Sequence, residues 1–216
     1  MRMINYAKID AIVARSLLFF PVFFSVIAFF LLLKDPDTNS LFAVTYCLFA
    51  GIILAATPRT LNRRTDSGFL KMLPSKRGDQ VKGHFLFSFC CLVISMLLAL
   101  IILYAARAIR PTLQIAPLYV YLLLLGGALV CCGIELTAYS FFPNSEAQVN
   151  NIMRILPGFL FFFGIVLFSD NLPGVVLRFI NWITPLKSWL LFLGCFCCYL
   201  LLMELSILLE NRKDAL

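Results

Sequence analysis

The chain has 216 residues, of which 62% are hydrophobic and 13% charged, with a mean hydropathy of +0.94. Soluble domains carry roughly twice that share of charge, about 25%, so the composition excludes a soluble globular protein and points to an integral membrane one. The formal charge of +7 is spread over the segments between apolar runs, where it reads as a topology signal and as attraction to anionic headgroups rather than as a nucleic-acid surface.

Taken in chain order, the N-terminal segment sets Ile4, Ala7, Ile9, Ile12 and Val13 among Arg2, Lys8, Asp10 and Arg15. Apolar residues three to four apart predict a short amphipathic helix lying along the headgroups. A helix must hold about 20 apolar residues to cross a hydrocarbon core of about 30 Å. Six stretches meet or approach that length: Ile12–Leu33, Leu41–Thr57, Phe85–Ala106, Ile115–Phe142, Ile152–Ser169 and Ser188–Leu209. Continuous apolar runs exclude a barrel, whose strands alternate, and helices are then the way to satisfy the backbone in lipid. The expected architecture is all-α, a polytopic six-span domain over residues 1–216.

The turn-rich Lys34–Ser40 segment makes the first two spans antiparallel neighbours. In the fourth span, Gly126, Gly127, Ala128, Cys131, Cys132 and Gly133 offer close helix approach, and Glu135 should face a bundle interior or a wet cavity. It is a candidate for the substrate path, or else it reaches headgroups or an inner-loop base. The fifth span has a short apolar run and starts back in the headgroup layer, near Glu146 or Gln148. From Asn171 to Pro185 the chain is too apolar for a solvated loop and too short to cross. It is expected either to rest on the bilayer or to form an external re-entrant hairpin, with Pro173 beginning a helix, Pro185 ending one, and Trp182 and Trp189 at the interface. All eight cysteines fall inside the predicted spans and read as free packing thiols, since a metal site needs accompanying polar ligands. No metal, catalytic or cofactor residue is assigned.

With the N-terminus inside, only Lys34, Arg107, Arg110, Arg178 and Lys187 of the 18 lysines and arginines fall outside. The bias places both termini in the cytoplasm of a multi-pass cell-membrane protein. The basic segment Pro58–His84, with Arg59, Arg63, Arg64, Lys71, Lys76, Arg77 and Lys82, then faces the cytoplasm. Within it, Asp66 or Ser67 can cap a short helix presenting Phe69, Met72 and Leu73. Pro74 stops that helix, and Ser75 can cap a second one running through Val81 into the third span.

The run Gly68-Phe69-Leu70-Lys71-Met72-Leu73-Pro74-Ser75-Lys76-Arg77, followed by Val81-Lys82-Gly83-His84-Phe85, resembles the inner loop of the permease subunits of type 2 ABC exporters. Those are six-span half-transporters that dimerise and bind separate ATPase subunits. The resemblance implies that Phe69, Leu70, Met72, Leu73, Pro74, Lys76 and Arg77 form a coupling helix that docks on the ATPase. It also implies a second permease subunit, identical or homologous, and export as the direction of transport, while the Phe-rich spans favour an amphipathic or hydrophobic cargo such as a peptide or a lipid-like compound. ATP and magnesium would be bound by the partner. Gly78 to Gly83 has the glycine spacing of a phosphate-binding loop, but His84 and Phe85 stand where Lys and Ser/Thr are required. A membrane enzyme would need a nucleophile with a base, paired acids or a metal cluster. The chain has one histidine, and its span acids Glu135 and Glu204 are solitary in sequence. A non-transporting immunity or regulatory subunit shares every compositional feature, and the coupling segment is what tells the two apart.

Overall fold

In the computed structural model, the described residues are 2–17, 19–34, 40–64, 77–113, 115–141, 156, 158–165, 178 and 182–213, and they are helical with short connections and no strand. The main helices are α1 (Arg2–Val13), α2 (Phe19–Lys34), α3 (Ser40–Arg64), α4 (Arg77–Ile109), α5 (Leu118–Phe141) and α6 (Pro185–Lys213). Residues 158–165 are also helical. Among the described residues, four helices are long and apolar enough to cross a membrane: Ser40–Pro58, Gly78–Ile109, Leu118–Phe141 and Pro185–Arg212. The 16 residues of α2 reach about 24 Å at 1.5 Å per residue, somewhat short of the hydrocarbon thickness. Half of the predicted fifth span and most of the 171–185 hairpin lie outside the described residues.

Three expectations change. The first apolar run does not make one helix from Ile12. Instead α1 absorbs Ile12 and Val13, and the chain turns through Ala14 and the 3-10 turn Arg15–Leu17, where Leu17 N–H donates to the Ala14 carbonyl at 2.8 Å. Composition alone is blind to this corner, because both sides of it are apolar. Secondly, Pro58 lies within α3, which continues to Arg64, so the basic segment begins as helix rather than as loop. His84, at the end of the basic segment, belongs to α4, as the helix expected to run through Val81 into the third span implies. Finally, Pro185 opens a helix instead of closing one. Thr184 caps it, its carbonyl taking the Ser188 N–H at 3.0 Å and its hydroxyl the Lys187 N–H at 3.4 Å, which suits proline at the first helical position.

The core is a helix-on-helix interior of small and branched side chains, with Leu32, Leu48, Ile52, Leu92, Leu103, Leu129 and Leu136 among its fully buried members. Small residues set the spacing, as expected of membrane helices. A Cβ on Gly126 would meet Cys195 Cβ at 3.2 Å, and one on Gly133 would meet Tyr199 and Leu202 at 3.0 Å, so α5 and α6 touch closely. A Cβ on Gly51 of α3 would lie 2.5 Å from Ser95 Oγ of α4.

Hydrogen bonds reinforce these seams. Ser206 donates to Thr137 Oγ1 at 3.0 Å, and Tyr199 OH donates to the Phe85 carbonyl at 2.6 Å, tying α6 to α5 and α4. At the end of the bundle opposite the basic segment, Arg110 Nη1 donates to the Leu32 carbonyl at 3.2 Å, satisfying one of the open acceptors at the end of α2. There too Lys187 Nζ sits 4.1 Å from the centre of the exposed Trp182 ring and donates to its carbonyl. All eight cysteines are free thiols, Cys47, Cys91 and Cys132 buried and Cys90, Cys197 and Cys198 exposed.

Candidate functional site

The basic segment is carried by two stalks, the last turns of α3 and the first turns of α4. The 33 residues of α4 span about 50 Å, roughly 20 Å more than a hydrocarbon core, so its first turns can extend beyond the membrane as a support. Phe69, Leu70, Met72, Leu73, Pro74 and Lys76 lie outside the described residues. Arg77 is the first residue of α4. The helix predicted to run through Val81 into the third span is present, so Gly78 to Gly83 is helical rather than an extended loop curled around a phosphate.

The α4 stalk is gripped from two sides. A Cβ on Gly83 would lie 2.4 Å from Tyr6 Cβ and 3.2 Å from both the Ala7 nitrogen and the Met3 carbonyl oxygen. Only glycine lets α1 cross α4 this closely. One residue on, His84 Nδ1 meets Asp10 Oδ2 at 2.6 Å, with His84 and Asp10 exposed by only 6% and 1%. A carboxylate accepts, so the imidazole donates from Nδ1. On the other side a Cβ at Gly78 would meet Ile207 of α6 at 3.3 Å. The buried face of α1 is Tyr6 and Asp10, continued by Ala14 in the turn just after it, while Ile4 and Ile12 are exposed. The predicted N-terminal helix is therefore present, but an acid rather than an aliphatic stripe anchors it to the bundle.

The α3 stalk is built differently. Pro58 has no N–H for the Leu54 carbonyl, and its ring crowds that group. Beside this interruption lies a cavity of about 50 Å³ lined by Leu17, Phe20, Ile53, Leu54 and Thr57. Thr57 Oγ1 donates to the Ile53 carbonyl at 2.7 Å.

Glu135 is fully buried in α5, facing the protein interior. Across the bundle, Phe24, Phe42, Tyr46, Phe49, Phe159 and Phe162 join α2, α3 and residues 158–165 through ring centroids 4.9 to 6.4 Å apart. Phe159 stacks on Phe163 at 5.5 Å, and both are more than two-fifths exposed. Sequence reasoning missed the Asp10–His84 pair. Its signal was one histidine in the whole chain and one acid in an otherwise basic and apolar leader.

Among the described residues there is no grouping of three or more potential metal ligands. No match is found among curated proteins or among solved structures. The family model described as "ABC-2 family transporter protein" matches residues 8–210, nearly the whole chain and every helix described above. The described residues form an all-helical bundle with four membrane-length helices, and the chain belongs to the ABC-2 transporter membrane protein family.

Proposed function

We propose that this chain is the permease subunit of an ABC exporter that borrows its ATPase from a separate subunit. It is read as one six-span unit in the cell membrane, with both termini in the cytoplasm, paired with a second permease and standing over two ATPases that hold the ATP and magnesium. The observation that carries the reading is a basic segment held between two helices, at one end of a bundle matched to the ABC-2 family over residues 8–210. Phe69, Leu70, Met72, Leu73 and Pro74 supply the apolar knob that enters a groove on the ATPase, and Lys76 and Arg77 supply its charged rim. Closure of the ATPases on ATP pushes the knob and rocks the inner ends of α3 and α4. The chain itself carries out no chemistry.

The aromatic surface formed by α3 and residues 158–165 favours an apolar or amphipathic cargo, peptide or lipid-like, over a hydrophilic one. The reading is tested by copurifying the tagged chain from its native host in mild detergent. A stoichiometric ABC ATPase supports it, and an immunity or regulatory subunit takes its place if none is found.

Glu135 is assigned to the cargo path, which must open by parting of α5 from its neighbours. Glu135→Gln keeps the volume and removes the charge. It is expected to slow ATP-driven movement of a labelled amphipathic peptide by about tenfold, of the order of 1.4 kcal/mol, with ATPase assembly unchanged. Transport at the parent rate removes Glu135 from the path.

A further inference from the structure

Asp10 and His84 are separated by 74 positions and brought together inside an apolar contact, next to the point where Gly83 lets two backbones approach. A buried, hydrogen-bonded acid and imidazole are a poor way to gain stability, since desolvation offsets most of the attraction, but either polar partner left alone is strongly disfavoured. Such a pair therefore selects one register of α1 on α4 against sliding or lifting. An aliphatic contact of the same size would not.

The two stalks of the basic segment thus differ in kind. The α4 stalk is clamped by α1 through Asp10, His84 and Gly83 and touched by α6 at Gly78, whereas the α3 stalk contains Pro58 and adjoins a cavity. A proline inside a helix next to unfilled space is a place where the helix can bend. The clamped stalk transmits displacement and the interrupted one yields to it.

We infer that Asp10 and His84 are a positioning pair that pins α1 to the loop-bearing end of α4, so that α1 and α4 move as one arm when the basic segment is displaced. This rests on the permease reading above. The pair touches neither cargo nor ATPase, and acts through the arm it holds together.

The test uses the full chain in lipid nanodiscs with whatever ATPase copurifies. Two quantities are read, amide hydrogen exchange along α1 and ATP turnover per bound ATPase. Asp10→Ala and His84→Ala are each expected to speed α1 exchange by at least about tenfold through local opening. ATP turnover falls by a similar factor while the ATPase stays bound. The swap of Asp10→His with His84→Asp restores both readouts. Gly83→Ala, which pushes α1 away sterically and so parts Asp10 from His84 without altering either residue, gives the phenotype of the single variants. Unchanged α1 exchange in the single variants overturns the pin. Faster exchange with unchanged turnover overturns the shared arm. A parent chain that carries no ATPase overturns the permease reading, and the shared arm with it, while the exchange data still decide the pin.

Discussion

Phe69→Asp combined with Leu73→Asp is expected to strip the ATPase from the complex while leaving the bundle folded. Apolar anchors at the centre of an interface are each worth about 2 kcal/mol or more. Aspartate removes the anchor and adds a charge that must be desolvated against a groove. A joint loss of about 4 kcal/mol corresponds to roughly a thousandfold weaker binding, enough to empty a complex purified at ordinary concentrations. The measurement is the ratio of ATPase to permease after mild-detergent purification. Phe69→Leu should keep most of that ratio. Alanine at Lys76 and Arg77 should weaken association less and in a salt-dependent way, as charges at a solvated rim do. Undiminished association of the double aspartate variant removes the coupling role from this segment.

Gly51→Val is expected to damage the bundle itself. The first carbon of any side chain at Gly51 would lie 2.5 Å from Ser95 Oγ, 2.9 Å from Ser95 Cβ and 3.4 Å from Leu92 Cδ2. Ser95 is buried at 1% exposure and Leu92 at 0%, so neither can move aside into solvent. Overpacking of this kind costs about 1–3 kcal/mol. In a chain of this size that lowers the unfolding midpoint by about 2–4 °C per kcal/mol. Thermal unfolding in detergent should show the drop. Gly51→Ala paired with Ser95→Gly, which moves the small position to the facing helix, should recover most of it. A midpoint unmoved by Gly51→Val would mean that α3 and α4 are not in the close register described.

The spans were legible where a long apolar run coincides with one straight helix. Leu41–Thr57, Phe85–Ala106, Ile115–Phe142 and Ser188–Leu209 each lie almost wholly within a helix of the structure. The small residues of α5 also announced a close seam, which α6 fills at Gly126 and Gly133. What composition did not show was where one apolar stretch turns a corner. Ile12 and Val13 look like the start of a span, yet the helix that packs Tyr6 and Asp10 on α4 extends to include them.

Proline was ambiguous for a related reason. Its missing N–H is harmless in the first turn of a helix and disruptive later, and sequence alone does not say which turn it occupies. At Pro185 the deciding residue is Thr184, which caps the helix; at Pro58 α3 runs on for six residues. The Asp10–His84 pair had no local signature, because its partners come from opposite ends of the 74-residue separation and each looks solvated in its own neighbourhood. The rule that could have found it is that an acid on a helix destined for burial needs a partner, and His84 is the one histidine in the sequence.

The central claim is that this permease works on ATP hydrolysed by another chain. It is tested most directly by purifying the tagged wild-type protein from its native host in mild detergent, identifying what copurifies and assaying ATP hydrolysis. An ABC ATPase at equal stoichiometry, active in the complex, is the predicted result. A pure permease chain with no ATPase and no hydrolysis would contradict it.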